Sequence, residues 1–169
     1  GRLMTTLEEL DLTNRTIVIF TADNGTSFVN QGDKGKATEL GVRVPLIVAG
    51  PGVLQGRTSR ELVDLSDIFP TLAELADVPL PDDRIIDGQS FVASLRGETN
   101  RGRQWIFSYL RDQTMLRDHR WMLDGAGRFY DCGHDRTGRH YKDVSASDDP
   151  AVLAAKENLR QILSTLKPR

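Results

Sequence analysis

Residues 16 to 52, TIVIFTADNGTSFVNQGDKGKATELGVRVPLIVAGPG, set an acid–amide pair, Asp23 and Asn24, at the end of an apolar run. A carboxylate and a carboxamide offer hard oxygen donors, the kind that suit Ca²⁺ or Mg²⁺ rather than a soft metal. Lys34 follows in the polar loop. A lysine there supplies a compact point charge. By itself, DNG reads first as a turn, because Asn-Gly favours turns, and Lys34 and Lys36 read as solvated loop lysines.

These residues need elements to hold them. TIVIFTA and VPLIVAG are continuous β-branched and apolar runs, which suit strands covered on both faces, as in the parallel sheets of α/β proteins. The loop between them starts where the first strand ends, the end at which open α/β sheets bind ligands. GRLMTTLEEL reads as a helix with Leu3, Leu7 and Leu10 on one face. It has neither a cap residue nor a signal-peptide layout, so the chain is expected to begin inside something larger. SDIFPTLAELAD is a second helix, with Ser66 as its expected cap and Ile68, Leu72, Leu75 and Ala76 on its apolar stripe. Pro70 is tolerable there because it lies near the first turn. DGQSFVASLRG is a short helix closed by Gly97.

From about residue 104 the character changes. QWIFSYL, TMLRDHRWMLD and GRFYDC are short aromatic-rich segments separated by turn signals and predict an antiparallel meander. Trp105 and Trp121 read as sheet-packing residues. DDPAVLAAKENLRQILSTL predicts a final helix capped by Asp149, with Pro150 at its first position. The expected division is an α/β part over 1–103 and a β-meander with a terminal helix over 104–169.

Composition narrows the function classes. The chain has 169 residues, 38% apolar and 27% charged, which describes a folded globular protein rather than a disordered one. A net charge of -2, with both signs mixed throughout, leaves no nucleic-acid footprint. No apolar run approaches the roughly 20 residues a membrane span requires. The single cysteine, Cys132, excludes an internal disulfide framework and a cysteine-based zinc cluster.

TIVIFTADNG followed by GDKGKATELGVRVPLIVAGPG closely resembles the C-terminal portion of the sulfatases, in the alkaline-phosphatase-like superfamily. LVDLSDIFPTLAELADV, DGQSFVASLRG and FYDCGHDRTGRHYKDV are similar to further family landmarks in the same order, so the resemblance covers nearly the whole chain. It implies part of an alkaline-phosphatase-like mixed sheet with flanking helices, followed by a small antiparallel meander packed with a C-terminal helix. It implies that Asp23 and Asn24 are ligands of a divalent cation, Ca²⁺ or Mg²⁺, and that Lys34 contacts the sulfate group. It implies that Arg43 braces the loop by pairing with Glu39. Leu40 stands where the pattern usually has glycine, which leaves the backbone path from Glu39 to Arg43 open.

In that family the nucleophile is a formylglycine made within Cys/Ser-x-Pro-x-Arg, and a metal assists covalent catalysis as a Lewis acid. No such motif occurs in this chain. Cys132, in CGHDR, has His134 at the proline position and reads as structural. His119, His134 and His140 fall in the meander, and the family's upstream Asp-Asp pair is missing. The expected function is sulfate-ester hydrolysis in a longer parent that supplies the formylglycine and the N-terminal portion of the catalytic domain. The chain alone is expected to be inactive. Two alternatives stay open: a phosphatase or phosphonate hydrolase of the same superfamily, or a non-catalytic remnant or interaction module. Asn24 favours the sulfatase, because two-metal members of the superfamily more often carry histidine there. The particular sulfate ester and the compartment are left undetermined, although family members are commonly periplasmic, secreted or lysosomal.

Overall fold

A computed structural model describes residues 1–28, 31–98, 102–135 and 138–166. The chain forms two compact units, one of residues 1–22 and 45–103, the other of residues 23–44 and 104–169.

The first unit opens with helix α1, Arg2–Glu9, which has no side-chain cap. Strands β1, Val18–Thr21, and β2, Leu46–Ala49, then pair with each other antiparallel, Val18 opposite Ala49 and Thr21 opposite Leu46. Two expectations fail here. The strands are antiparallel neighbours, and neither is covered on both faces, since the cross-strand pair Phe20 and Ile47 is 59% and 60% exposed. A continuous apolar run signals a strand but carries no information about the direction of its neighbour.

Helix α3, Ile68–Leu75, is entered through a 3₁₀ turn at Leu65–Asp67. (α2, Glu39–Val42, lies in the second unit.) Ser66 does not cap it. Asp64 and Asp67 form a reciprocal capping box, in which the Asp64 carboxylate accepts from Ser66 N at 2.9 Å and Asp67 Oδ2 accepts from Asp64 N at 2.8 Å. The helix buries Pro70 and Thr71, whereas Leu72, on the expected apolar stripe, is 46% exposed. Asp67 is the hub of this unit. Its carboxylate, 2% exposed, also accepts from Gln89 N at 2.8 Å and from Nε and Nη2 of buried Arg103. Helix α4, Val92–Arg96, ends as expected at Gly97, whose φ of 77° is the left-handed conformation glycine adopts without strain.

In the second unit, strands β3 to β7 (Ile106–Leu110, Gln113–Arg117, Trp121–Asp124, Phe129–Asp131 and Lys142–Asp143) form a five-stranded antiparallel sheet in sequence order. Helix α5, Pro150–Thr165, is capped by Asp149, whose carboxylate accepts from Ala151 N at 2.8 Å. Strand alternation sorts the core into two layers. Leu116, Leu123 and Phe129 pack with Leu159 of α5, joined by Trp105 and Trp121 at the margin. Met115, Met122 and Cys132 form the other cluster, with Val42, Tyr130 and Tyr141 against it. Residues 23–44 therefore cover part of the sheet through Val42. Among the described residues no helix is long and apolar enough to cross a membrane.

The Asp67 hub yields a stability prediction. Asp67→Ala strands the buried Arg103 charge and two backbone amides, so the unfolding free energy should fall by about 3–5 kcal/mol. Urea denaturation followed by circular dichroism reads this directly, and an unchanged midpoint would contradict it.

Candidate metal and anion site

Asp23 and Asn24 leave β1 and enter a loop that folds back on itself three times. Gly25 N donates to Gly41 O at 2.8 Å, Lys34 N to Thr26 O at 3.3 Å, and Asp33 N to Leu40 O at 3.4 Å. Gly25 is required by this approach, because a Cβ there would collide with the Leu40 carbonyl. The receiving element is α2, Glu39–Val42, a single helical turn whose cap Thr38 accepts from Gly41 N at 3.2 Å. Leu40 sits inside that turn and is not among the residues with positive φ, so the path from Glu39 to Arg43 needs no glycine.

Within the loop, Asn24 Nδ2 donates to Gly25 O at 2.9 Å. That bond fixes the carboxamide and leaves its oxygen with no protein donor among the described residues. Asn24 is half-buried, whereas Asp23 and Lys34 are exposed. Neither Asp23 nor Lys34 enters an ion pair among the described residues. Lys36 is different. It is exposed, as expected, and pairs with Asp33 at 2.9 Å. The Asp33 carboxyl is held below its ordinary pKa, chiefly by the Lys36 hydrogen bond, with burial opposing and Thr38 Oγ1 at 3.0 Å assisting. Asp33 is thus committed to bracing the loop. Among the described residues no group of three or more His, Cys, Asp or Glu side chains is arranged to hold a metal.

The expected Glu39–Arg43 pair is present, Oε1 to Nη1 at 3.3 Å. A stronger partner was not foreseen: Arg117 Nη1 lies 2.7 Å from Glu39 Oε2, with both side chains largely buried. Arg117 Nη1 also donates to Tyr141 Oη at 2.9 Å. Burial pulls the Arg117 pKa down and Glu39 more than compensates, so it stands above the ordinary arginine value. The available signal was parity along β4, which puts Arg117 on the same face as Met115.

With this geometry in place, the comparisons with known proteins identify the chain's relatives. The sulfatase family model matches residues 1–78, a range that includes Asp23, Asn24 and Lys34. Over that range the chain matches the sulfatase family. It is 39% identical to the steryl-sulfatase of Mus musculus over 126 aligned residues, covering 64% of this chain and 20% of that protein. It is 29% identical to the N-acetylgalactosamine-6-O-sulfatase of Bacteroides thetaiotaomicron, across 100% of this chain and 40% of that one. Among solved structures, the phosphonate monoester hydrolase of Silicibacter pomeroyi is similar over 98% of this chain and 37% of its own, with a TM-score of 0.76 and 26% identity. The chain thus spans between 20% and 40% of the length of these relatives.

Cys132 is not placed for nucleophilic chemistry. It is 2% exposed, and burial pushes its thiol up to about 12. Arg117 only partly offsets this, so almost no thiolate exists at neutral pH. His119, His134 and His140 are all exposed.

The raised thiol pKa fixes the sign of a pH effect. Above the ordinary cysteine pKa of about 8.5 the unfolded thiol has lost its proton while the folded one retains it, so the folded state binds more protons. The stability from this group is complete below about 8.5 and declines by roughly 1.4 kcal/mol per pH unit as the pH rises towards the folded value. Urea unfolding between pH 8.5 and 11 should show that extra slope in the native sequence relative to Cys132→Ala. Equal slopes would show that the thiol ionises normally.

Proposed function

We propose that this chain forms part of the cation and sulfate site of a sulfuric ester hydrolase. Asp23 and Asn24 serve as hard-oxygen ligands and Lys34 binds the sulfate group. The observation that supports this reading best is the tethered Asn24 carboxamide, whose oxygen has no protein donor among the described residues. An anionic oxygen at Asp23 and a neutral one at Asn24 fit Ca²⁺ or Mg²⁺ by donor type. They make up only part of a coordination shell of six to eight oxygens, so the remaining ligands belong to the rest of the parent. A bound cation would supply Lewis-acid stabilisation of the ester oxygens.

The chain's own residues then divide the work. Asp23 and Asn24 fix where positive charge resides. Lys34, which enters no ion pair among the described residues, places an ammonium to orient a tetrahedral anion and offset charge growing on it. The formylglycine nucleophile lies outside this chain. Residues 1–103 contribute to the α/β catalytic domain, residues 104–169 form the C-terminal subdomain, and the isolated chain binds cations weakly and hydrolyses nothing. A second reading, phosphonate monoester hydrolysis, is favoured by the close match to the Silicibacter pomeroyi fold. Asn24 in place of histidine argues for a single hard cation and keeps sulfate ester hydrolysis first.

In the full-length enzyme, Lys34→Ala should lower kcat/KM for an aryl sulfate by about 100- to 1,000-fold. Asn24→Ala should raise the Ca²⁺ concentration needed for half-maximal activity. Normal kinetics in both variants, or turnover of an aryl sulfate by this chain alone, would overturn the reading. Preference for a phosphonate monoester over the sulfate would select the second one.

A further inference from the structure

We propose that Arg117, a residue of the meander, is a positioning residue for the loop that carries Asp23, Asn24 and Lys34. It acts through Glu39 and touches neither cation nor substrate. Calling that loop a catalytic site rests on the function proposed above; the mechanical claim does not.

First, the Arg117 guanidinium is fixed. Nε donates to Asp118 O at 3.0 Å and Nη1 to Tyr141 Oη at 2.9 Å, leaving little freedom to follow a moving partner. Second, it holds Glu39 at 2.7 Å in a buried setting, with side-chain exposures of 12% and 7%. Glu39 opens α2, and a helix of one turn is far too short to persist by itself. Third, the carbonyls of that turn receive both arms of the loop. Gly41 O takes the amide of Gly25, next to Asn24, and Leu40 O takes the amide of Asp33, next to Lys34. Releasing Glu39 therefore loosens the metal arm and the lysine arm together.

This role is separable from holding the meander. The cluster of Leu116, Leu123, Phe129 and Leu159 lies on the opposite face of β4. Register between β4 and β5 is kept by backbone pairing, with Arg117 opposite Met122, and needs no guanidinium. A loss of the ion pair should be felt in the loop before it is felt in the sheet.

Native-state hydrogen exchange by NMR on the chain tests this, with a Tb³⁺ luminescence titration in parallel. In Arg117→Met, the amides of Gly25 and Asp33 should exchange at least about tenfold faster than in the native sequence, while the β4–β5 ladder keeps its protection. Tb³⁺ affinity should fall as it does in Asn24→Ala. Arg117→Lys, which keeps a charge but not the fork, should restore part of the protection. Should Arg117→Met also unfold the sheet, Glu39→Gln decides, since it keeps the side-chain volume and should show the same selective loss. Unchanged Gly25 and Asp33 exchange in a folded variant, or equal acceleration of loop and ladder in Glu39→Gln, overturns the proposal. Selective loop loosening with Tb³⁺ binding indifferent to Asn24→Ala would sustain the positioning role and remove the metal reading. Unmoved exchange with Asn24-dependent Tb³⁺ binding would do the reverse.

Discussion

Glu39 is 6% exposed and meets two guanidinium groups, Arg117 at 2.7 Å and Arg43 at 3.3 Å. Burying a carboxylate is costly unless it is paired and hydrogen-bonded, so the turn that contains it has few other places to be. That constraint propagates outward. The turn presents the carbonyls of Leu40 and Gly41, which in turn set the segments before and after the loop's tip. The same economy appears in the first unit, where Asp67 gathers Arg103 and the amides of Asp64 and Gln89. In each unit one buried acid organises irregular chain that hydrophobic contacts alone would leave under-determined.

The loop itself is divided between bracing and chemistry. Asp33, Lys36 and Thr38 are spent on one another, and Glu39 on Arg43 and Arg117. Asp23 and Lys34 remain without ion-pair partners among the described residues, and the Asn24 carboxamide is anchored by its nitrogen alone. A loop that satisfied all its charges internally would have nothing to offer a ligand. Here three groups of the types that hold a hard cation and an oxyanion are left available, on a backbone that is hydrogen-bonded on both sides of them.

The sequence made some of this legible and hid the rest, for physical reasons. Periodicity and cap chemistry located α5 with its Asp149 cap, the Gly97 stop of α4, and the meander, because each depends on local geometry. The direction of β1 relative to β2 was not local, and their antiparallel pairing could not be read from apolar runs that suit either arrangement. Ser66 looked like a cap by residue type, but the acids on either side of it, Asp64 and Asp67, perform that task in a reciprocal box, and Asp67 also holds Arg103, far along the chain. The Glu39–Arg43 pair followed from the family pattern. Arg117 did not, because its role exists only once β4 is set against the loop.

The most direct test of whether Asp23, Asn24 and Lys34 share one site is paramagnetic broadening by Mn²⁺, titrated at low concentration into isotope-labelled chain. Weak binding is sufficient for this measurement. Resonances of Asp23, the Asn24 side-chain amide and Lys34 should broaden first and together, ahead of the exposed acids at Asp82 and Asp83. Early broadening at those other acids, with the loop resonances still sharp, would contradict a shared cation and anion site.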